Sequence, residues 1–122
     1  MYEVSKETEF SGAHHLRGYH GKCEGMHGHN WRVRVFAIAE ELDALGMVVD
    51  FKILAAGLEE VLSAFDHKDI NTVPPFDSLN SSSENIAKYV FDEMSARLNN
   101  VRVRVSRVMV WETDHSCATY SK

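Results

Sequence analysis

The spacing of hydrophobic positions along this chain changes several times, and each change marks a different element. Residues 2–10 alternate, with Tyr2, Val4, Thr8 and Phe10 on one face and Glu3, Ser5, Glu7 and Glu9 on the other; Lys6 interrupts the apolar set. A period of two describes a half-buried strand. From His29 to Glu40 the alternation returns through Trp31, Val33, Val35, Ala37 and Ala39, which predicts a second strand paired antiparallel with the first. The stretch between them, "GAHHLRGYHGKCEGMHG", follows neither the helical nor the strand period and is rich in glycine and histidine. It reads as a long functional loop joining the strands.

Beyond Asp50, which can cap a helix by accepting a backbone N–H, the residues Phe51, Leu54, Leu58, Val61, Leu62 and Phe65 recur at steps of three and four. This predicts a helix over about residues 51–64. After a loop punctuated by Pro74 and Pro75, "SSSENIAKYVFDEMSARL" opens with Ser81 and Glu84 at the spacing of a capping box. Ile86, Ala87, Val90, Phe91, Met94 and Leu98 then form the buried stripe of a second helix.

The last third alternates from Val101 to Val105, but the apolar phase then shifts to Val108 and Val110, with Met109 and Trp111 on the other face. A bulge or burial on both faces explains such a shift. The resulting order is β-β-α-α-β-β, an α+β domain with one four-stranded antiparallel sheet and two helices on one of its faces. Several strand residues on the opposite face are apolar and call for a partner, which points to oligomerisation.

Composition narrows the picture. At 122 residues and 44% hydrophobic, the chain forms a single domain over 1–122 with a modest core. The formal charge is −5, and the basic residues are scattered, so no nucleic-acid footprint is expected. The amino terminus has no export signal, and no stretch is long and apolar enough to span a bilayer, so a cytoplasmic protein is expected without membrane association. Cys23 and Cys117 are expected to stay reduced.

The seven histidines carry the candidate chemistry. His27 and His29 lie two apart at the start of a strand, so both imidazoles point to one face. An H-x-H pair alone is common on wet surfaces. Cys23 four residues earlier, and His14 or His15 in the same loop, shift the reading towards a metal site; His20 competes as a ligand. Three neutral imidazoles with a vacant position make a catalytic site, whereas Cys23 as a fourth ligand makes a closed structural one. Glycines at 21 and 25, with Lys22 and Glu24, describe an exposed turn around Cys23 rather than burial of a small apolar residue.

Together these residues resemble the 6-pyruvoyltetrahydropterin and 6-carboxytetrahydropterin synthase family over nearly the whole chain. "FSGAHHL" resembles the first zinc segment and "CEGMHGH" the Cys-x-x-x-His-Gly-His element; "VVDF" resembles the entry to the first helix. "FDHKDIN" resembles the Asp-His element, "SSSENIA" the pterin loop before the second helix, and "VWET" the ring-anchoring segment. His15 stands where the family often has arginine, and Ser82 where it often has threonine. The resemblance implies a tunnelling fold, assembled as a homohexamer of two trimers with interfacial active sites. It also implies zinc on His14, His27 and His29, with Cys23 as the catalytic thiol. Asp66 and His67 become a proton relay; Glu112, Ser82 and Ser83 become pterin-binding residues.

The implied substrate is 7,8-dihydroneopterin triphosphate. Zinc would acidify its side-chain hydroxyls, and the Cys23 thiolate would remove a side-chain proton. Side chains of adjacent residues rarely hydrogen-bond each other, so Asp66 and His67 are expected to meet Cys23 across an interface. Glu112 matches the paired donors of a pterin ring; its plainer role is a salt bridge to Arg102 or Arg104. Arg17, Lys22 and Lys52 are triphosphate candidates by position. Three residues between Cys23 and His27 resemble the carboxy branch, whose product feeds 7-deazaguanine and queuosine synthesis. The alternatives are the pyruvoyl branch, a folate-type side-chain cleavage suggested by Glu24, and a non-catalytic zinc-binding module.

Overall fold

The computed structural model describes residues 1–19 and 25–122. Strands β1 (Tyr2–His14) and β2 (His27–Ala39) form one long antiparallel ladder, from Tyr2 opposite Ala39 to His14 opposite His27. Both strands run past the limits set by their apolar alternation. Gly12, Ala13 and Gly28 continue the backbone pairing without a large apolar side chain to announce it, so the expected loop is shortened at both ends.

Helix α1 (Phe51–Leu62) is capped by Asp50, whose carboxylate accepts the Lys52 N–H at 2.8 Å. It buries Leu54, Leu58, Val61 and Leu62 and ends two residues earlier than expected, so Phe65 enters the core from the turn beyond it. Phe51, placed in the buried stripe by spacing, is instead exposed in the first turn. Helix α2 (Ser83–Leu98) is capped by Ser82, not Ser81: the Ser82 hydroxyl accepts the Asn85 N–H at 3.2 Å. Ser81 is fully buried and has another task.

Strands β4 (Arg104–Thr113) and β5 (Ser116–Ser121) form a hairpin. Phe36 pairs with Arg107 but Ala37 pairs with Val105, leaving Ser106 as an extra residue. This bulge explains the phase shift, because it returns Val105 and Val108 to the same buried face. Val101, where alternation appeared to begin, lies outside the strand and is exposed.

The sheet has five strands rather than four, in the order β3-β1-β2-β4-β5. The added strand, β3 (Lys68–Asp69), pairs parallel with β1 through Gly12–Lys68 and Ala13–Asp69. Two residues are too few to show a period. The helices cover one face, closing a core that includes Phe10, Trp31, Val33, Val35, Leu58, Val90, Met94 and Val108. On the other face Glu7 pairs with Arg34 at 3.2 Å and Glu3 with Arg107 at 3.1 Å. The Arg107 guanidinium lies 3.9 Å from the Phe36 ring centre, so charged side chains shield part of this apolar surface. Among the described residues no helix is long and apolar enough to cross a membrane.

Candidate metal centre

The β1–β2 ladder places His14 directly opposite His27, and Gly12 opposite His29. Alternation sends all three imidazoles to the helix-covered side, at the end of the core. Trp31 forms the floor there: its ring centre is 4.8 Å from that of His14 and 5.5 Å from that of His29. Its indole N–H donates to the Gly12 carbonyl at 3.1 Å, and Phe10 stacks against it. The hydrophobic core thus holds the site rigidly from below.

Glu112 reaches the same point from β4, on the face that also carries Val108 and Val110. Its Oε1 lies 2.9 Å from His14 Nε2, 3.5 Å from His27 Nε2 and 2.9 Å from His29 Nε2. The donor atoms of the four residues all lie within 4.8 Å of one another. His14 Nδ1 donates to the Ser81 carbonyl and His27 Nδ1 to the Gly25 carbonyl, each at 2.8 Å. A carbonyl only accepts, so each of these rings carries a proton on Nδ1 and, when neutral, presents a lone pair on Nε2.

The donor set fits a metal cation. Lone pairs and a carboxylate oxygen converge on one point, an arrangement that needs protons or a cation to be stable. His29 Nε2 is buried and lacks a partner in hydrogen-bond geometry, although Glu112 Oε1 is close. The His29 pKa is lowered, chiefly because burial disfavours the imidazolium; the Glu112 charge opposes this, and His27 and His14 reinforce it. The neutral imidazole so favoured is the metal-binding form.

Of the ligands left open by spacing, His14 joins the group. His15 is held through its backbone, with its N–H donating to Asn71 Oδ1 at 3.0 Å. His20 and Cys23 lie outside the described residues, as does Lys22. Arg17 is not free to receive a phosphate: its guanidinium donates to the carbonyls of Asn71, Phe76, Asp77 and Leu79. Arg102 is similarly committed to the Glu41, Met47 and Val48 carbonyls, so it is not the partner of Glu112.

Asp66 and His67 bring their side chains together, with His67 Nδ1 2.9 Å from Asp66 Oδ1, close enough for an ion pair when the imidazole is protonated. The reason is the backbone. His67 has φ 57°, a left-handed conformation that folds its ring back over the preceding carboxylate. Ser11 locks this turn, donating its N–H to Asp66 Oδ1 at 3.0 Å and accepting the His67 N–H at 2.6 Å. His67 remains 80% exposed and lines, with Ser11, Gly28, His29 and Lys68, an open bay of about 440 Å³. Glu112 lines a second cleft of about 370 Å³ with Asn30, Arg32 and Trp111. Ser82 and Ser83 sit half-buried at the start of α2, the former occupied as its cap. Ser81, whose carbonyl orients His14, escaped the sequence reading because a main-chain acceptor has no residue signature.

The fold and site define a tunnelling-fold domain, α+β, with a metal-competent histidine cluster at the end of its sheet. The profile of the 6-pyruvoyl tetrahydropterin synthase family matches residues 3–122, and the chain belongs to that family. It is 35% identical to a 6-carboxy-5,6,7,8-tetrahydropterin synthase from Synechocystis sp., over 98% of this chain and 93% of the relative. It is 33% identical to human 6-pyruvoyl tetrahydrobiopterin synthase, over 97% of this chain and 90% of that protein. The solved structure of Caenorhabditis elegans 6-pyruvoyl tetrahydropterin synthase superposes with a TM-score of 0.88 at 29% identity, covering 99% of this chain and 95% of that one.

Proposed function

We propose that the protein is a zinc-dependent 6-carboxy-5,6,7,8-tetrahydropterin synthase. It converts 7,8-dihydroneopterin triphosphate and water into 6-carboxy-5,6,7,8-tetrahydropterin, acetaldehyde and triphosphate, a step towards 7-deazaguanines and queuosine. The observation that carries this reading is the convergence of three histidine Nε2 atoms, two of them with Nδ1 tied to carbonyls, beside the Cys-x-x-x-His-Gly-His spacing. The relatives divide between carboxy and pyruvoyl synthases, and the short Cys23-to-His27 interval favours the carboxy branch.

His14, His27 and His29 hold the zinc ion, which when bound supplies stabilisation of negative charge developing on the substrate side chain. Cys23, as thiolate, takes a side-chain proton. His67 moves protons at Nε2 while Asp66 holds its Nδ1. The exposure of His67 suits service to a neighbouring protomer, in a homohexamer of two trimers joined over the faces that the helices leave open. Glu112 receives the paired donors of the pterin ring from its cleft side, while its Oε1 faces the histidines. Ser82 and Ser83 border the ring.

The test is to incubate the zinc-loaded protein with 7,8-dihydroneopterin triphosphate and identify products by mass spectrometry. Acetaldehyde with a carboxypterin is expected; a pyruvoylpterin assigns the other branch. One observation favours a second reading, a non-catalytic zinc module: Glu112 brings a fourth donor to the three histidines. Absence of turnover, with Glu112→Gln weakening zinc binding as much as loss of a histidine does, selects that module.

A further inference from the structure

Asn71 has no part in the chemistry above, yet its amide joins three pieces of the site. It is 6% exposed. Its Oδ1 accepts the His15 N–H and the Ser81 hydroxyl, each at 3.0 Å, and its Nδ2 donates to the His15 carbonyl at 3.0 Å. Ser81, fully buried, presents its carbonyl to His14 Nδ1. The segment carrying Asn71 is itself fixed: Asp69 accepts the Asn71 N–H at 3.0 Å, and β3 is paired to β1 immediately before it.

We propose that Asn71 is a positioning residue of the metal centre, acting through Ser81 to set the rotation and tautomer of His14 and thereby the affinity for the ion. The proposal rests on His14 being a ligand, as in the function proposed above. Without the Asn71 amide, the His15 N–H loses its partner, the Ser81 hydroxyl and the His15 carbonyl fall back on a longer contact with each other at 3.4 Å, and Ser81 is held less firmly against the end of β1. The Ser81 carbonyl is then free to leave His14 Nδ1. The ring can turn, or carry its proton on Nε2, a tautomer that cannot bind metal through that atom. The partners of ligating histidines typically tune metal affinity by about 10–100-fold.

The experiment measures zinc affinity of the full chain by chelator competition, and the visible spectrum of the cobalt(II) form. The proteins compared are wild type, Asn71→Ala, Asn71→Asp, Ser81→Ala, the Asn71→Ala/Ser81→Ala double variant, and Val90→Ala as a remote core control. Asn71→Ala is expected to weaken zinc binding about 10–100-fold and to alter the cobalt spectrum. Asn71→Asp keeps the acceptor for Ser81 but sets a second oxygen against the His15 carbonyl, so it is expected to bind zinc more tightly than Asn71→Ala and more weakly than wild type. The double variant is expected to be no weaker than Asn71→Ala alone, since both changes break one connection. Val90→Ala lowers thermal stability without changing zinc affinity. Wild-type affinity in Asn71→Ala, or additive losses in the double variant, overturns the inference. Should Asn71→Ala fail to fold, wild-type affinity in Ser81→Ala overturns it equally. A wild-type protein that takes up no zinc fails the proposed function and this inference together; one that binds zinc and is indifferent to Asn71 fails the inference alone.

Discussion

Asp66 and His67, neighbours in the chain, bring Oδ1 and Nδ1 within 2.9 Å of each other, with His67 in the left-handed backbone region. The pair is therefore built as a unit before any partner arrives. His67→Ala is expected to lower turnover by about 10²–10⁴-fold, the usual worth of a positioned acid or base. Asp66→Asn is expected to give a smaller loss, since it keeps an oxygen for the Ser11 N–H. Both variants should retain wild-type metal content by elemental analysis; loss of metal in either would place the pair in the metal centre instead.

The ligands and the thiol can be separated by the same assay. His27→Ala or His29→Ala is expected to weaken zinc binding by more than about 100-fold, beyond the effect typical of an outer partner. Cys23→Ala is expected to keep zinc and fold while turnover drops by about 10²–10⁴-fold. Zinc loss in step with activity in Cys23→Ala would make the cysteine a ligand.

The lowered pKa of His29 fixes a direction for pH dependence. Its ordinary value is 6.5, and the folded value lies below that, so between the two the unfolded chain binds more protons. The His29 contribution to apo-protein stability is thus intact above the ordinary value. It is lost as pH falls from there through the folded value. Thermal denaturation of the metal-free protein across this range should show the melting temperature falling on acidification, with a weaker fall in His29→Ala. Zinc affinity should decline in the same direction, because protons compete for the imidazoles.

Gly12 tests the packing beneath the bay. A Cβ added there would lie 3.0 Å from Ile70 Cδ1 and 3.2 Å from Phe10 Cε2, both in fully or nearly fully buried side chains. Gly12→Ala is expected to destabilise by about 1–3 kcal/mol, as overpacking of a filled core does. Chemical denaturation checks this; an unchanged midpoint would show that Ile70 can move aside.

The sequence made long, periodic features legible. Trp31, Val33 and Val35 announced β2, and Leu54, Leu58 and Val61 announced α1, because burial on one face leaves a period. His27 and His29 were readable as a pair for the same reason. What stayed hidden depends on backbone. Gly12 and Gly28 extend the ladder without an apolar side chain, and β3 has only two residues. The His67 turn rests on one φ angle, and the Ser81 carbonyl is a group that every residue possesses. Glu112 fell on the expected face, but its convergence with the histidines depends on how β4 lies across the sheet.

The short parallel strand β3 fixes a rule for how this domain can vary. Residues 11–15 of one segment are matched to residues 66–71 of another, at Ser11 with Asp66 and His67, at Gly12 and Ala13 with β3, and at His15 with Asn71. A single residue inserted into either run would pull one end of this match out of step with the other, separating the Asp66–His67 turn from the histidine cluster. The turn at residues 40–47 is clamped at its base by Arg102, but its tip at 43–46 is bonded within itself through Asp43, so length changes in the lineage should collect at that tip and spare the two matched runs.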